Sequence, residues 1–449
     1  MASAEKLSIH QKALDINLDA TNYGSFAEIG AGQEVVRWFL LVGGASGTVA
    51  QSISAYDKEV SDDLYGAGAR YVSKERLAAM LDGEWAQLLH HLNESRGSRT
   101  RFFSFVDTVS TRNYAGTNEP HGWVGLRFQL QPGGEPNDIV LHINLRDFSN
   151  TLEQEAIGIL GVNLIYAVFH QLQSKESFFD NVAQEVEKRI EIDYVEVRGA
   201  AFEGWDQRAI LAHLVRAGLA EAVCFLSNGS PEPPIDILYK KAVVLAPGSF
   251  KHVDAAHAAI HRQLLASGVE QLRGELDEKA HAPIGFFCLS VMGVTENDPP
   301  LEIPDLLERI DALHTRGGDV MLYRDRELYN VTALVSRYTK EHIRIVLGLS
   351  LLIRIWEYRY KRLPGGFLEA LSRLLTQNVR VYAYPMSATD LEQSIQSICV
   401  TDWKWTETNG YVSADQLHPP PPLDHLYNYV LGSNFFVPMP IPAAVAARE

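Results

Sequence analysis

The segment Ala242-Val-Val-Leu-Ala-Pro-Gly-Ser-Phe250 joins an apolar run to a Gly-Ser-Phe turn, and His257 follows on a helix-like stretch. Backbone N–H groups at a strand-to-helix turn can cradle a phosphate, and an imidazole on the next helical turn can offset charge in a transition state. Gly248, Ser249, Phe250 and His257 are therefore candidate ligand-binding residues. Asp254, on the same stretch, sets an anion against a bound anion, so binding is expected there more than robust catalysis. An ordinary βα turn, with Gly248 relieving the backbone and Asp254 in the first helical turn, accounts for the same residues.

A second polar group is His121, Arg127, Gln129, His142, Asn144, Arg146 and Asp147. Alternating runs at 123–130 and 139–145 flank the turn Pro132-Gly-Gly-Glu-Pro136, which predicts a β-hairpin. Its pairing places Arg127, Gln129, His142 and Asn144 on one face, where Arg127 and His142 are candidates for holding a small anion. A solvated sheet face explains them equally well. His90 and His91 are neighbours on an expected helix and point about 100° apart, which is poor geometry for one shared metal, and no metal is expected. Two glycine clusters remain, Ala27-Glu-Ile-Gly-Ala-Gly-Gln33 and Gly43-Gly-Ala-Ser-Gly47. The latter lacks a following Gly-Lys-Ser/Thr and reads as a hinge or packing loop. Arg354, Arg359, Lys361 and Arg362, interleaved with Trp356, Tyr358 and Tyr360, form a basic aromatic helix whose stems can cover apolar surface.

The elements that must position these residues suggest an α/β chain in two domains and a tail. Residues 1–190 read as an α+β domain, with strands at 101–106, 123–130 and 139–145 and helices at 73–94 and 152–172, the second helix apolar on nearly every side. Residues 191–386 repeat strand and helix, with strands expected at 192–197, 222–226, 242–245, 284–291, 320–323, 343–347 and 379–384. Ten or more helical residues between apolar strands signal a mainly parallel, Rossmann-like sheet. An open sheet is expected in preference to a barrel, because the units fall short of eight and the helical stretch 351–377 is broken by Leu363-Pro-Gly-Gly366. Residues 387–449 are a proline-rich tail whose polyproline is extended and adds no core. Its aromatic residues imply strapping over its own body or onto a neighbouring subunit.

At 449 residues, with 46% apolar, the chain can fill more than one core. Lys and Arg total 40 against 56 Asp and Glu, a formal charge of -16 that repels phosphate backbones and anionic lipids, so nucleic acid is not an expected partner. Cys224, Cys288 and Cys399 lie far apart and read as buried thiols in a reducing compartment. Residues 1–19 lack the apolar core of an export signal, and no uninterrupted apolar run approaches the ~18 residues of a membrane helix. A cytoplasmic protein without membrane insertion is the expectation.

Three resemblances attach to these strings. GSFKHVDAAH resembles the adenylyltransferase pattern GSFDPxHxGH: His257 is in register, Asp254 stands at the first histidine and Ala256 at the glycine. The resemblance implies nucleotide binding at Gly248, Ser249, Phe250 and His257. Residues 27–33 resemble the EIGAGxG turn of methyltransferases that bind S-adenosylmethionine, with Glu34 at the third glycine. AEIGAGQE, EAIGILGVNLIYAVF, YKKAVVLAPGSF, SRYTKEHIRIVLGL, LPGGFLEALSRLL and VYAYPM together resemble an uncharacterised bacterial family across most of residues 20–386. Its members carry the labels nicotinate-nucleotide adenylyltransferase and TonB-dependent receptor. The receptor label conflicts with the lack of an export signal and of amphipathic barrel strands. The resulting expectation is a homo-oligomeric subunit or a binder of a nucleotide or other small phosphorylated ligand, without robust catalysis. The alternative is a nucleotidyltransferase of the nicotinate/nicotinamide-nucleotide type.

Overall fold

The computed structural model describes residues 7–173, 175, 177–251, 255–292, 299–315, 317–357, 362–376, 378–398 and 402–440, with side chains in 255–259 and 397–398 set aside. The chain divides into two compact units, Met1–Glu221 and Ala222–Glu449.

The first unit runs α1 (Ile9–Leu18), β1 (Asn22–Ile29), α2 (Glu34–Val42), β2 (Val49–Ile53), α3 (Lys58–Tyr65), α4 (Lys74–Arg96), β3 (Arg101–Ser110), β4 (His121–Gln129), β5 (Pro136–Leu145), α5 (Asn150–His170), α6 (Phe178–Val182), β6 (Ile190–Arg198) and α7 (Gln207–Ala217). Its six strands lie in the order β2-β1-β3-β4-β5-β6. The first three are parallel and the rest antiparallel. Ser73 and Ser149 cap α4 and α5 by accepting the N–H of Arg76 and Leu152. α4 covers one face, where a Cβ on Gly125 would come within 2.9 Å of Leu81. α5 covers the other, where Gly161 lets the helix approach Val35 of α2 and Phe105 of β3. α5 is long and apolar enough to cross a membrane, yet nearly all of it is enclosed in this unit's core. The hairpin β4–β5 forms as its alternation predicts, but its α4 face is buried under the helix where a solvated face was considered. The expected strand at 192–197 forms too. It pairs antiparallel with β5, so it belongs to this sheet and not to the parallel one, and the change of unit comes after α7.

The second unit runs β7 (Ala222–Phe225), β8 (Pro231–Glu232), α8 (Pro234–Leu238), β9 (Val243–Pro247), α9 (Ala255–Glu275), β10 (Ile284–Ser290), α10 (Ile303–His314), β11 (Asp319–Tyr323), α11 (Leu328–Tyr338), β12 (Ile343–Gly348), α12 (Leu349–Glu357), α13 (Gly366–Leu374) and β13 (Val379–Tyr384). Further on come the helices Ala388–Ile398 and Leu423–Gly432 and a short strand, Phe436–Pro438. The open sheet follows the order Phe436–Pro438, β13, β12, β9, β10, β11, β7, β8. β9 to β13 are mutually parallel, as the βα rhythm predicts, whereas β7 runs antiparallel to β11.

The tail takes the first of its two expected courses, over its own unit. Phe436–Pro438 pairs parallel with β13, and Trp403, Val412, Leu417, Tyr427 and Phe436 are buried in the second unit's core. Tyr427 packs its ring 5.0 Å from that of Trp356 and donates its hydroxyl to the Ala414 carbonyl at 2.7 Å. Prolines keep this segment from starting regular structure early, but its aromatic side chains carry enough apolar area to fold it back onto its own unit.

Candidate functional site

In the second unit the chain steps from β9 to β10 to β11 on one side, then crosses back through α11 to β12 on the other side of β9, and on to β13. This is a doubly wound order with its switch point between β9 and β12, where ligand crevices open beyond the carboxyl ends of the strands. The register shows the opening directly. β9 and β12 pair only through Ile343↔Val243, Arg344↔Val244 and Ile345↔Leu245. Beyond that, β9 stays with β10 as far as Pro247↔Cys288, and β12 stays with β13 as far as Gly348↔Tyr384. The strands part, and the Gly248–Phe250 turn stands at the mouth.

The turn is built from below. Phe250 is buried in left-handed backbone, φ +47°, with its ring 5.5 Å from Phe287 and 5.4 Å from His261. A bulky side chain in that region is strained and persists only where packing imposes it. Gly248 is required because a Cβ there would fall 2.8 Å from the Phe250 ring. The Gly248 N–H donates to the Cys288 carbonyl at 3.2 Å, so it is spent on the sheet. Ser249 and Phe250 show no backbone acceptor for their N–H groups among the described residues. The buried Arg309 holds the turn from beneath, donating to the Ser249 carbonyl at 2.5 Å while Asp305 takes its other nitrogens at 2.7 and 3.1 Å. On the far wall Gly348 leads straight into α12, and the first side-chain atom a Cβ there would meet is 4.0 Å away on Met386. His257 lies in the first turn of α9 with its side chain outside the described residues, and Asp254 lies outside them altogether.

The hairpin residues belong to the first unit and are already committed. Arg127 is clasped by Asp138 at 2.7 and 2.9 Å and by Asp82 at 2.8 Å, so an incoming anion would have to displace two carboxylates. Gln129 accepts the N–H of Phe102 and donates to the carbonyl of Gly134. His142 is fully enclosed, its ring edge-on to Trp123 at 4.9 Å. Its Nδ1 lies 2.5 Å from Asp193 Oδ1, its Nε2 lies 3.0 Å from His121 Nδ1, and Asn144 donates to Asp193 Oδ2 at 2.8 Å. The expected anion pair of Arg127 and His142 is thus replaced by two separate internal networks. Asp193 was missed because β6 carries a bulge. His142 pairs with Tyr194 and Ile143 with Ile192, which leaves Asp193 as the extra residue, re-aimed toward the histidine. The available signal was an acidic residue set between apolar ones in a strand.

The glycine turn after β1 is also filled from within. Gly30 and Gly32 have φ of +100° and +82°, and a Cβ on Gly30 would lie 1.9 Å from the Val109 carbonyl oxygen. Glu28 accepts the N–H groups of Val35 and Val36, so the start of α2, which a cofactor would use, is capped by the chain itself. Asp107 is Glu28's register partner on β3, and its Oδ2 is buried without a partner among the described residues. Burial raises Glu28 to about 7, partly offset by those two N–H groups; burial, then the Glu28 charge, raises Asp107 well above the carboxylate range. β1 and β3 pair as far as Ile29↔Thr108, so no gap opens between them. His90 and His91 sit on α4 with rings 5.1 Å apart, and the described residues contain no group of three or more metal-binding side chains. Cys224 and Cys288 are buried and in no disulfide, while Cys399 lies outside the described residues, as do residues 358–361 of the basic aromatic stretch.

Fold and crevice together define an α/β protein. No family model matches the chain, and no curated protein matches it. Among solved structures it is similar to a competence/damage-inducible protein, CihA, of Agrobacterium tumefaciens, at 21% identity and a TM-score of 0.26 over 37% of this chain and 98% of that one. A competence-damaged (CinA) superfamily protein of Enterobacter cloacae is similar at 11% identity and 0.28, over 38% of this chain and 96% of that one. The competence damage-inducible protein A of Klebsiella pneumoniae is similar at 11% identity and 0.27, over 37% and 99%.

Proposed function

We propose that this chain binds a small phosphorylated ligand of the nucleotide class in the crevice between β9 and β12, without robust catalysis. The observation that carries the reading is the parting of those strands at the switch point, with the Gly248–Phe250 turn at its mouth. Two consecutive N–H groups, of Ser249 and Phe250, are available to phosphate oxygens, and Arg309, paired with Asp305, fixes the Ser249 carbonyl beneath them. The test is thermal denaturation of the whole chain with ATP, NAD or nicotinate mononucleotide, each with and without magnesium. A compound at 100 times its dissociation constant should stabilise the fold by about 2.7 kcal/mol. No shift with any of them sinks the proposal.

Adenylyl transfer is the narrower alternative. Asp254 puts a carboxylate where that chemistry needs an imidazole, so no pyrophosphate release is expected from ATP and nicotinate mononucleotide. His257→Ala should fold normally. Robust release that depends on His257 would replace the binding reading with the enzymatic one. Homo-oligomerisation belongs to the same proposal, with the exposed side chains of Tyr56, Tyr114 and Phe148 on the first unit as candidate contacts. Native mass spectrometry should find a mass above that of one chain, and a monomer at micromolar concentration would remove this part.

A further inference from the structure

Asp193, His142 and His121 form a line of ionisable groups inside the first unit, separate from the crevice of the second. Asp193 and His142 are sealed at 1% and 0% exposure, and His121, the first residue of β4, is the most open of the three at 9%. The carboxylate already faces two donors, Asn144 Nδ2 at 2.8 Å and His142 Nδ1 at 2.5 Å, which places the hydrogen of a neutral His142 on Nδ1. His142 Nε2 is then an acceptor, and the ring nitrogen 3.0 Å away, His121 Nδ1, must be the donor. By elimination His121 Nε2 carries a bare lone pair, and no protein donor meets it among the described residues.

We propose that this line is a proton relay whose working atom is His121 Nε2, a proton-accepting site for a bound water at the start of β4. An O–H bond of the water breaks as an N–H bond forms at His121 Nε2. The Nδ1 hydrogen of His121 passes to His142 Nε2, and the positive charge comes to rest on His142 against the Asp193 carboxylate. The water takes a replacement proton from bulk solvent and remains water, with no change of oxidation state anywhere. Only His121 touches the water; His142 and Asp193 are positioning residues. The surroundings favour this direction of charge flow: burial, the His142 ring and Arg70 all disfavour a cation on His121 itself and hold it down to about 3. Trp123, packed against His142 and Tyr194, keeps solvent from the inner ring.

Nitrogen-15 NMR of the full chain decides the matter without any substitution. In their neutral state both rings should appear as Nδ1–H tautomers, with His121 Nε2 unprotonated. Diethyl pyrocarbonate, whose carbonyl carbon is attacked by a bare ring nitrogen, should then modify His121, because the Nδ1 hydrogen released on acylation has His142 to go to. Asp193→Asn removes the charge that stabilises the receiving ring and should slow this modification by about 100-fold, the lower end for positioned acid–base assistance. An Nε2–H tautomer on His121 in the unmutated protein overturns the relay. So does a folded Asp193→Asn variant that modifies His121 at the unmutated rate, which is the result expected of a purely structural network.

Discussion

At the scale of single residues, the Glu28–Asp107 pair makes the first unit sensitive to pH. A carboxyl group whose folded value lies above its unfolded one holds its proton more tightly when folded. The stability it contributes is complete below the unfolded value and is lost as pH rises through the folded one. For Glu28, raised from 4.5 to about 7, that loss runs from about pH 4.5 to pH 8. Asp107→Asn keeps an acceptor for the Ile29 N–H and removes the neighbouring acid. The variant should therefore melt higher than the unmutated protein at pH 8 and show a flatter stability profile from pH 5 to pH 8, as read by thermal denaturation at each pH. An unchanged slope would show that the pair does not share its titration. Glu28 stood in plain view in AEIGAGQE and read as part of a cofactor turn, because its partner on β3 is distant in the chain. Asp193 was hidden for the same reason with one more step, since the bulge that aims it breaks the two-residue period on which strand reading depends.

Among elements, those with strong periodicity were legible: β4 and β5 with their turn, the buried α5, and the parallel strands β9 to β13 with the helices between them. What pairs with what was not. The apolar run of β6 looks like those of the parallel strands, and only its hydrogen-bonding partner β5 assigns it to the first sheet. Likewise, β1 and β2 were overlooked because Asn, Gly and Ser in β1 and Gln and Ser in β2 dilute the apolar pattern, although β1 lies between β2 and β3 in the first sheet. The Gly248 turn was recognised, whereas its packing was not, since Phe250 reads equally well as a surface aromatic. Gly248→Ala puts a methyl group 2.8 Å from the Phe250 ring and should cost about 1–3 kcal/mol in urea denaturation, as overpacking does. Phe250→Ala relieves that collision, so the double variant should lose less than the sum of the two single losses. Additive losses would mean that the glycine answers to something other than the ring.

For the whole molecule, the proline-rich segment after residue 386 was expected to strap over its own body or a neighbouring subunit, and the fold makes it part of the second unit. Ending the chain after Leu417 removes Tyr427, which lies 5.0 Å from Trp356, and Phe436, which extends the sheet beside β13. Losing one buried aromatic side chain costs about 3–5 kcal/mol, and two such losses rival the stability of a typical domain. The truncated chain should therefore lose the cooperative tryptophan-fluorescence transition reported by Trp356 and Trp403. A truncated chain that melts as sharply and as late as the full one would return the segment to the status of a loose tail.

The parting of β9 and β12 is drawn by the order in which strands connect, and no side chain makes it. It therefore outlasts substitution. A chain can exchange the side chains around such an opening and still keep the opening itself. The side chains around this mouth are thus more easily replaced than the gap, which only a different strand order would close.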